Sequence, residues 1–219
     1  MFRRLLPLLL LAATPAQAND LAWVSFIAQG PVSGKLITWL EVQPRFSLDP
    51  ARPTQLLLRP ALGVQINPKT TFLFGYLYQE GYPEDRPTVA EHRVWQQLQT
   101  RLAGTPNKAV LVSRTRLEER FVENQPDDGV RLRQMLRGQV WVSGGSWSVI
   151  GQSEAFFGLN STDWGQPAGV DQWRNFIGVG VPLSKRFTLE AGYLNQWLIR
   201  PGADINNNVI SVSLFYRIG

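Results

Sequence analysis

The feature that most constrains this chain is a period of two that runs from Leu21 almost to the C-terminus. Leu56, Leu58, Pro60, Leu62, Val64 and Ile66 alternate with Gln55, Leu57, Arg59, Ala61, Gly63 and Gln65. Phe72, Phe74, Tyr76 and Tyr78 alternate with Thr71, Leu73, Gly75, Leu77 and Gln79. Leu132, Gln134, Leu136, Val140 and Val142 alternate with Arg131, Arg133, Met135, Arg137, Gln139 and Trp141. Successive side chains of a strand point to opposite faces, so this pattern predicts strands with one apolar face. Eleven such segments lie near 21–29, 35–46, 54–66, 70–79, 88–102, 109–122, 130–143, 147–158, 171–183, 187–199 and 209–218. Turn residues separate them and no linker divides them, so a single domain is expected over 19–219.

The first eighteen residues read differently. Arg3 and Arg4 precede the apolar run Leu5 to Ala13, and Ala16-Gln17-Ala18 is a small-residue cleavage site. That is the plan of a cleaved export signal, and the run is too short for a membrane anchor. The chain has no cysteine and one histidine, His92. An exported domain of this kind has no disulfides, no thiolate and no multi-histidine metal site. Beyond residue 18 no stretch approaches the roughly 20 apolar residues of a membrane helix. A closed barrel of short alternating strands crosses a bilayer without one.

Three features favour such a barrel over a soluble sandwich. Aromatic residues sit on apolar faces near segment ends: Trp147, Phe157, Trp173, Phe187, Trp197 and Tyr216. Aromatic girdles mark outer-membrane barrels. The connections alternate between short (Asn67–Lys69, Gly104–Asn107, Gly144–Ser146, Ser184–Arg186) and longer (Glu80–Pro87, Glu123–Gly129, Asn160–Val170, Arg200–Asn208). Finally, lysines gather at the short turns, while Glu80, Glu84, Asp85, Glu123, Asp127, Asp128, Asp163 and Asp204 occupy the longer loops. The expectation is an all-β, antiparallel transmembrane barrel of 10–12 strands in the bacterial outer membrane. Bacterial barrels have even strand numbers, so the pattern predicts ten, with Leu21–Gln29 not an independent strand, or twelve, with one segment unseen.

The polar face carries Arg45, Arg59, Arg93, Arg101, Arg114, Arg116, Arg120, Arg131, Arg133, Arg137, Arg174 and Arg217 against Glu41, Glu91, Glu118, Glu154 and Glu190. An arginine turned to lipid near the midplane costs about 2–4 kcal/mol, so this face must point inward. Two readings of the lumen follow. Guanidinium–carboxylate pairs between strands would fix register and fill the interior. The excess of arginine would alternatively make a narrow pore that favours anions.

The densest run is Arg114-x-Arg116-x-Glu118-x-Arg120-Phe121, flanked by Glu91-x-Arg93-x-Trp95-Gln96-Gln97, Arg131-x-Arg133 and Glu154-Ala155-Phe156. With the Gly75-Tyr76 and Gly192-Tyr193 pairs, these motifs resemble an uncharacterised family of outer-membrane barrels, domain-of-unknown-function family 2490, over most of the chain after residue 18. The resemblance implies fold and compartment and no activity.

An outer-membrane lipid-modifying enzyme is the alternative function. His92 lies near one end of its strand, on the face of Val94 and Leu98. No Gly-x-Ser-x-Gly elbow supplies a nucleophile, and arginines beside Glu91, Glu118 and Glu154 disfavour a protonated catalytic acid. No catalytic, cofactor or metal residues are assigned. The partners expected are outer-membrane lipids, the barrel-assembly machinery and small anionic solutes, with no nucleic acid.

Overall fold

A computed structural model of the chain describes residues 19–200 and 202–219. The expected signal at 1–18 lies outside the described residues. Eleven strands follow in order: β1 (Asp20–Ser33), β2 (Leu36–Leu48), β3 (Ala51–Asn67), β4 (Thr70–Gly81), β5 (Val89–Thr105), β6 (Ala109–Val122), β7 (Asp128–Val142), β8 (Trp147–Gly158), β9 (Gly169–Pro182), β10 (Phe187–Leu198) and β11 (Ile205–Arg217). Each pairs with its neighbour in sequence, antiparallel, and β1 meets β11 to close the barrel.

The closure corrects the expectation of an even number. Leu21–Gln29 belongs to a full strand, and no twelfth strand exists among the described residues. An odd meander brings its first and last strands together running the same way, so β1 pairs with β11 in parallel, from Asp20 opposite Asn208 to Gln29 opposite Arg217. Side chains tie the seam: Asn19 donates to Asn207 (2.9 Å) and Asn208 to Asp20 (3.2 Å). Odd-numbered barrels are known from the mitochondrial outer membrane.

The strict alternation of short and long connections also fails once. The Asp49-Pro50 turn between β2 and β3 is short, yet it lies at the same end as the four long loops. That end therefore carries the start of β1, and the opposite end carries the end of β11. Lys35, Lys69, Lys108 and Lys185 all fall in turns at the β11-terminal end.

The barrel has its apolar surface outside. Phe26, Leu40, Leu62, Phe74, Leu98, Leu111, Leu136, Val149, Ile177, Tyr193 and Ile210, one from each strand, are exposed. Outward polar groups pair among themselves: Thr115 with Gln134 (2.6 Å), Ser153 with Asn175 (2.8 Å), Tyr193 with Asn208 (2.8 Å). The interior is not uniformly polar. Among the inner residues of β3, β4 and β5, Leu57, Ala61, Leu73, Leu77 and Trp95 form an apolar cluster. Gly75 makes room for it, because a Cβ there would overlap the Trp95 ring and the Ala61 methyl. No helix among the described residues is long and apolar enough to cross a membrane, which does not bear on crossing by strands.

Candidate functional site

The site is the lumen. Its charges form ladders between strands whose register sets who meets whom. Glu91 on β5 accepts from Arg93 (2.7 Å) and from Arg120 on β6 (2.6 Å). Glu118 on β6 accepts from Arg131 and Arg133 on β7, both at 2.6 Å, with Arg116 at 3.6 Å and Arg93 at 3.9 Å. Glu154 on β8 holds Arg133 (2.9 Å) and, from β6, Arg114 (2.8 Å). Arg59 pairs with Glu41, and Arg137 on β7 reaches Glu190 on β10. The last contact skips two intervening strands, so the network spans the lumen as well as lining it.

Aromatic faces carry many of the guanidinium groups. Arg116 lies over Trp95 (4.3 Å), Arg131 and Arg133 over Phe156 (5.2 and 4.4 Å), and Arg120 over Trp164 (4.6 Å). Arg45 and Arg174 share Trp23, at 3.8 and 4.8 Å. A guanidinium over an indole is attracted by the ring's negative face, more so where water is excluded.

Glu41, Arg45, Arg59, Glu91, Arg93, Arg116, Glu118, Arg120, Arg131, Arg133, Glu154 and Glu190 are buried. Arg101, Arg114, Arg137 and Arg174 are half-buried, and Arg217 is exposed at the end of its strand. The structure does not bring all of these together. Arg45, Arg101, Arg174 and Arg217 make no ion pair among the described residues; Arg45 donates instead to Gln43 (2.7 and 2.9 Å) and Gln55 (2.9 Å).

Several participants escape period-two reasoning. Asp171 is buried and pairs with Arg200 (2.8 Å) and Arg131 (3.6 Å); the register shift opposite Phe156 and Phe157 breaks the period of two at this position. Trp164 and Gln166 come from the long β8–β9 connection, which folds inward so that Gln166 accepts from Arg120 (3.0 Å). A loop has no period to reveal this. Trp23, Trp95 and Phe156 sit on the inner face; Trp95 shares the parity of Arg93 and Phe156 that of Glu154, whereas β1 has no charged inner residue to mark Trp23.

Two cavities occupy the lumen. One, about 590 Å³, lies under the long loops and reaches Arg52, Tyr82, Trp164 and Arg200. The other, about 620 Å³, opens toward the short turns and reaches Lys185, Arg186 and Arg217. Trp23, Arg45, Arg59, Arg133 and Arg174 line both, so they form the partition between them. Arginine dominates the charged residues of each lining: among the described residues, carboxylates enter as Glu91 and Asp171 on the loop side and as Glu41, Glu154 and Glu190 on the turn side.

Outside the wall, His92 has two polar partners. Its Nδ1 is hydrogen-bonded to the Tyr76 hydroxyl, and its Nε2 lies 3.5 Å from a Glu123 oxygen. Tyr78 packs against the imidazole, centroids 5.5 Å apart. No group of three or more His, Cys, Asp or Glu side chains among the described residues is placed to hold a metal ion.

A family model described as "Protein of unknown function (DUF2490)" matches residues 21–207. An uncharacterised protein of Methylorubrum extorquens (strain AM1) is 34% identical over 212 residues, covering 94% of this chain and 90% of that protein. No solved structure matches the chain.

Proposed function

The chain belongs to the DUF2490 family, and on that premise we propose that it is an outer-membrane β-barrel held shut at mid-height by its own side chains, a structural barrel rather than an open pore. The observation that carries this reading is the inversion of polarity between wall and lumen. Each strand exposes a large apolar or aromatic side chain outward, while buried arginines and glutamates face in. Water on the outside would leave that apolar girdle without a partner, whereas lipid covers it. The partition supports closure. Arg133 is locked by two carboxylates and Arg59 by one, so neither swings aside without stranding a buried charge.

The sorting of lysines to the end with the short turns supports an orientation, with those turns periplasmic and the acidic long loops outside. The expected result in a planar bilayer is silence: the purified protein inserts and carries no steady current. A stable ohmic conductance would overturn the closed lumen.

A second reading, a lipid-modifying enzyme, has one observation in its favour. Tyr76, His92 and Glu123 form a hydroxyl–imidazole–carboxylate chain on the outer surface at the loop end, where lipid headgroups would lie. The hydroxyl in that chain is a phenol. If the set hydrolyses lipid, His92→Ala abolishes the hydrolysis and leaves the barrel folded, because His92 faces outward. An unchanged phospholipid and lipopolysaccharide profile in His92→Ala cells ends this reading.

A further inference from the structure

The partition contains arginines that the chain does not engage in direct ion pairs. Arg59 has Glu41, and Arg133 has Glu118 and Glu154. Arg45 and Arg174 make no direct ion pair among the described residues, and both lie over the one Trp23 ring, Arg174 also over Phe156. Their hydrogen bonds go to neutral amides. Arg45 uses Gln43 and Gln55. Arg174 uses Gln172, with its amide oxygen turned to the guanidinium (2.9 Å) and also accepting from Gln196 (3.1 Å). Amide oxygens orient a guanidinium but leave its charge in place. Arg59 Nε, at the same partition, is buried without a hydrogen-bond acceptor among the described residues. Two like charges beside one indole repel, and between the low-dielectric walls of a barrel that repulsion is less screened than at an open surface.

We propose that the partition is a binding site for a small soluble oxyanion, a phosphate or phosphate ester, clasped by Arg45 and Arg174 on the side of the long loops. Guanidinium forks match phosphate oxygens two at a time. The side is set by the lining: the loop-side cavity holds two carboxylates, Glu91 and Asp171, each paired with two arginines, and offers the neutral donors of Gln55, Gln172, Gln196 and Asn207, whereas the other cavity holds three carboxylates, Glu41, Glu154 and Glu190. That cavity, about 590 Å³, falls within the range of small-molecule sites. The β-wall encloses the site, so its ligand arrives from water and not from the bilayer. The inference rests on the reading of the lumen as closed at this height.

The test is calorimetric titration of inorganic phosphate into the purified, detergent-folded protein, with folding checked by heat-modifiable gel mobility. Saturable one-site binding is expected. Arg174→Gln and Arg45→Gln each weaken it at least tenfold. Arg217→Gln, which lowers the lumen charge equally but lies at the turn end, leaves it unchanged. A folded wild-type protein that shows no saturable binding overturns the site, as does equal weakening by Arg217→Gln. The readout is separate from conductance. Phosphate binding by a conducting barrel sinks the closed lumen and keeps the site; a silent barrel that ignores phosphate does the reverse.

Discussion

Replacing Glu118 by glutamine is expected to cost the barrel at least about 3 kcal/mol, the largest loss of any single change to the network. Glu118 is 1% exposed and has four guanidinium groups within 3.9 Å: Arg131, Arg133, Arg116 and Arg93. Glutamine keeps the shape and one acceptor oxygen but removes the charge. Arg116 is then left with Gln97 and the Trp95 face, and its Nη1 already lacks a hydrogen-bond partner. Breaking one side of a buried ion pair costs more than the pair contributes, because the remaining charge stays desolvated. The measurement is the urea midpoint of unfolding in lipid vesicles, followed by heat-modifiable mobility. Glu190→Gln is the comparison, since Glu190 holds only Arg137 and sits where both are more accessible. Its midpoint should move much less. Equal midpoints for Glu118→Gln and wild type would mean that the network is ornamental.

The second large effect is expected from the partition. Trp23→Ala removes the ring under Arg45 and one of the two rings under Arg174, which keeps Phe156, and each loses a contact of about 0.5–2 kcal/mol. The two cavities that meet at Trp23 then join into one lumen whose charged lining residues are mainly arginine. The wild-type protein is expected to be silent in a planar bilayer; Trp23→Ala should carry a steady current with a reversal potential favouring anions. Arg174→Ala, a milder change that leaves the indole in place, should open the lumen partially. If both variants fold, by gel mobility, and both remain silent, the partition does not close the barrel. A cation-selective current would contradict the charge account of the lumen.

How far these features were legible from residues alone varied with the physics behind them. Strand positions were legible because a two-sided environment imposes a period of two, and the eleven segments read from the alternation correspond to the eleven strands. The closure was not. The even-number expectation assumed that every neighbour must be antiparallel, while the parallel β1–β11 seam is written in no local pattern. The inward parity of Arg116, Glu118, Arg131 and Arg133 followed from the cost of exposing them to lipid, but their partners depended on register. The pairing of Arg114 with Glu154 across β7 has no signature in either strand. Arg45 stands opposite Trp23 in the β1–β2 register, and the barrel's curvature brings Arg174 from β9 to the same ring, which no local pattern shows. Leu57 and Leu77 looked like exceptions to a polar inner face; they are an apolar cluster around Trp95.

The central claim is that the apolar girdle faces lipid and the arginines face in. Because the chain has no cysteine, a single one can be placed at will. Ile177→Cys and Leu62→Cys lie on the exposed outer face, 63% and 57% accessible in the isolated barrel. In outer-membrane fractions containing the protein as a heat-modifiable band, both should react with a lipid-soluble maleimide and resist a charged, membrane-impermeant one. Recovery of the protein in the soluble periplasmic fraction, with both cysteines open to the charged reagent, would contradict the account.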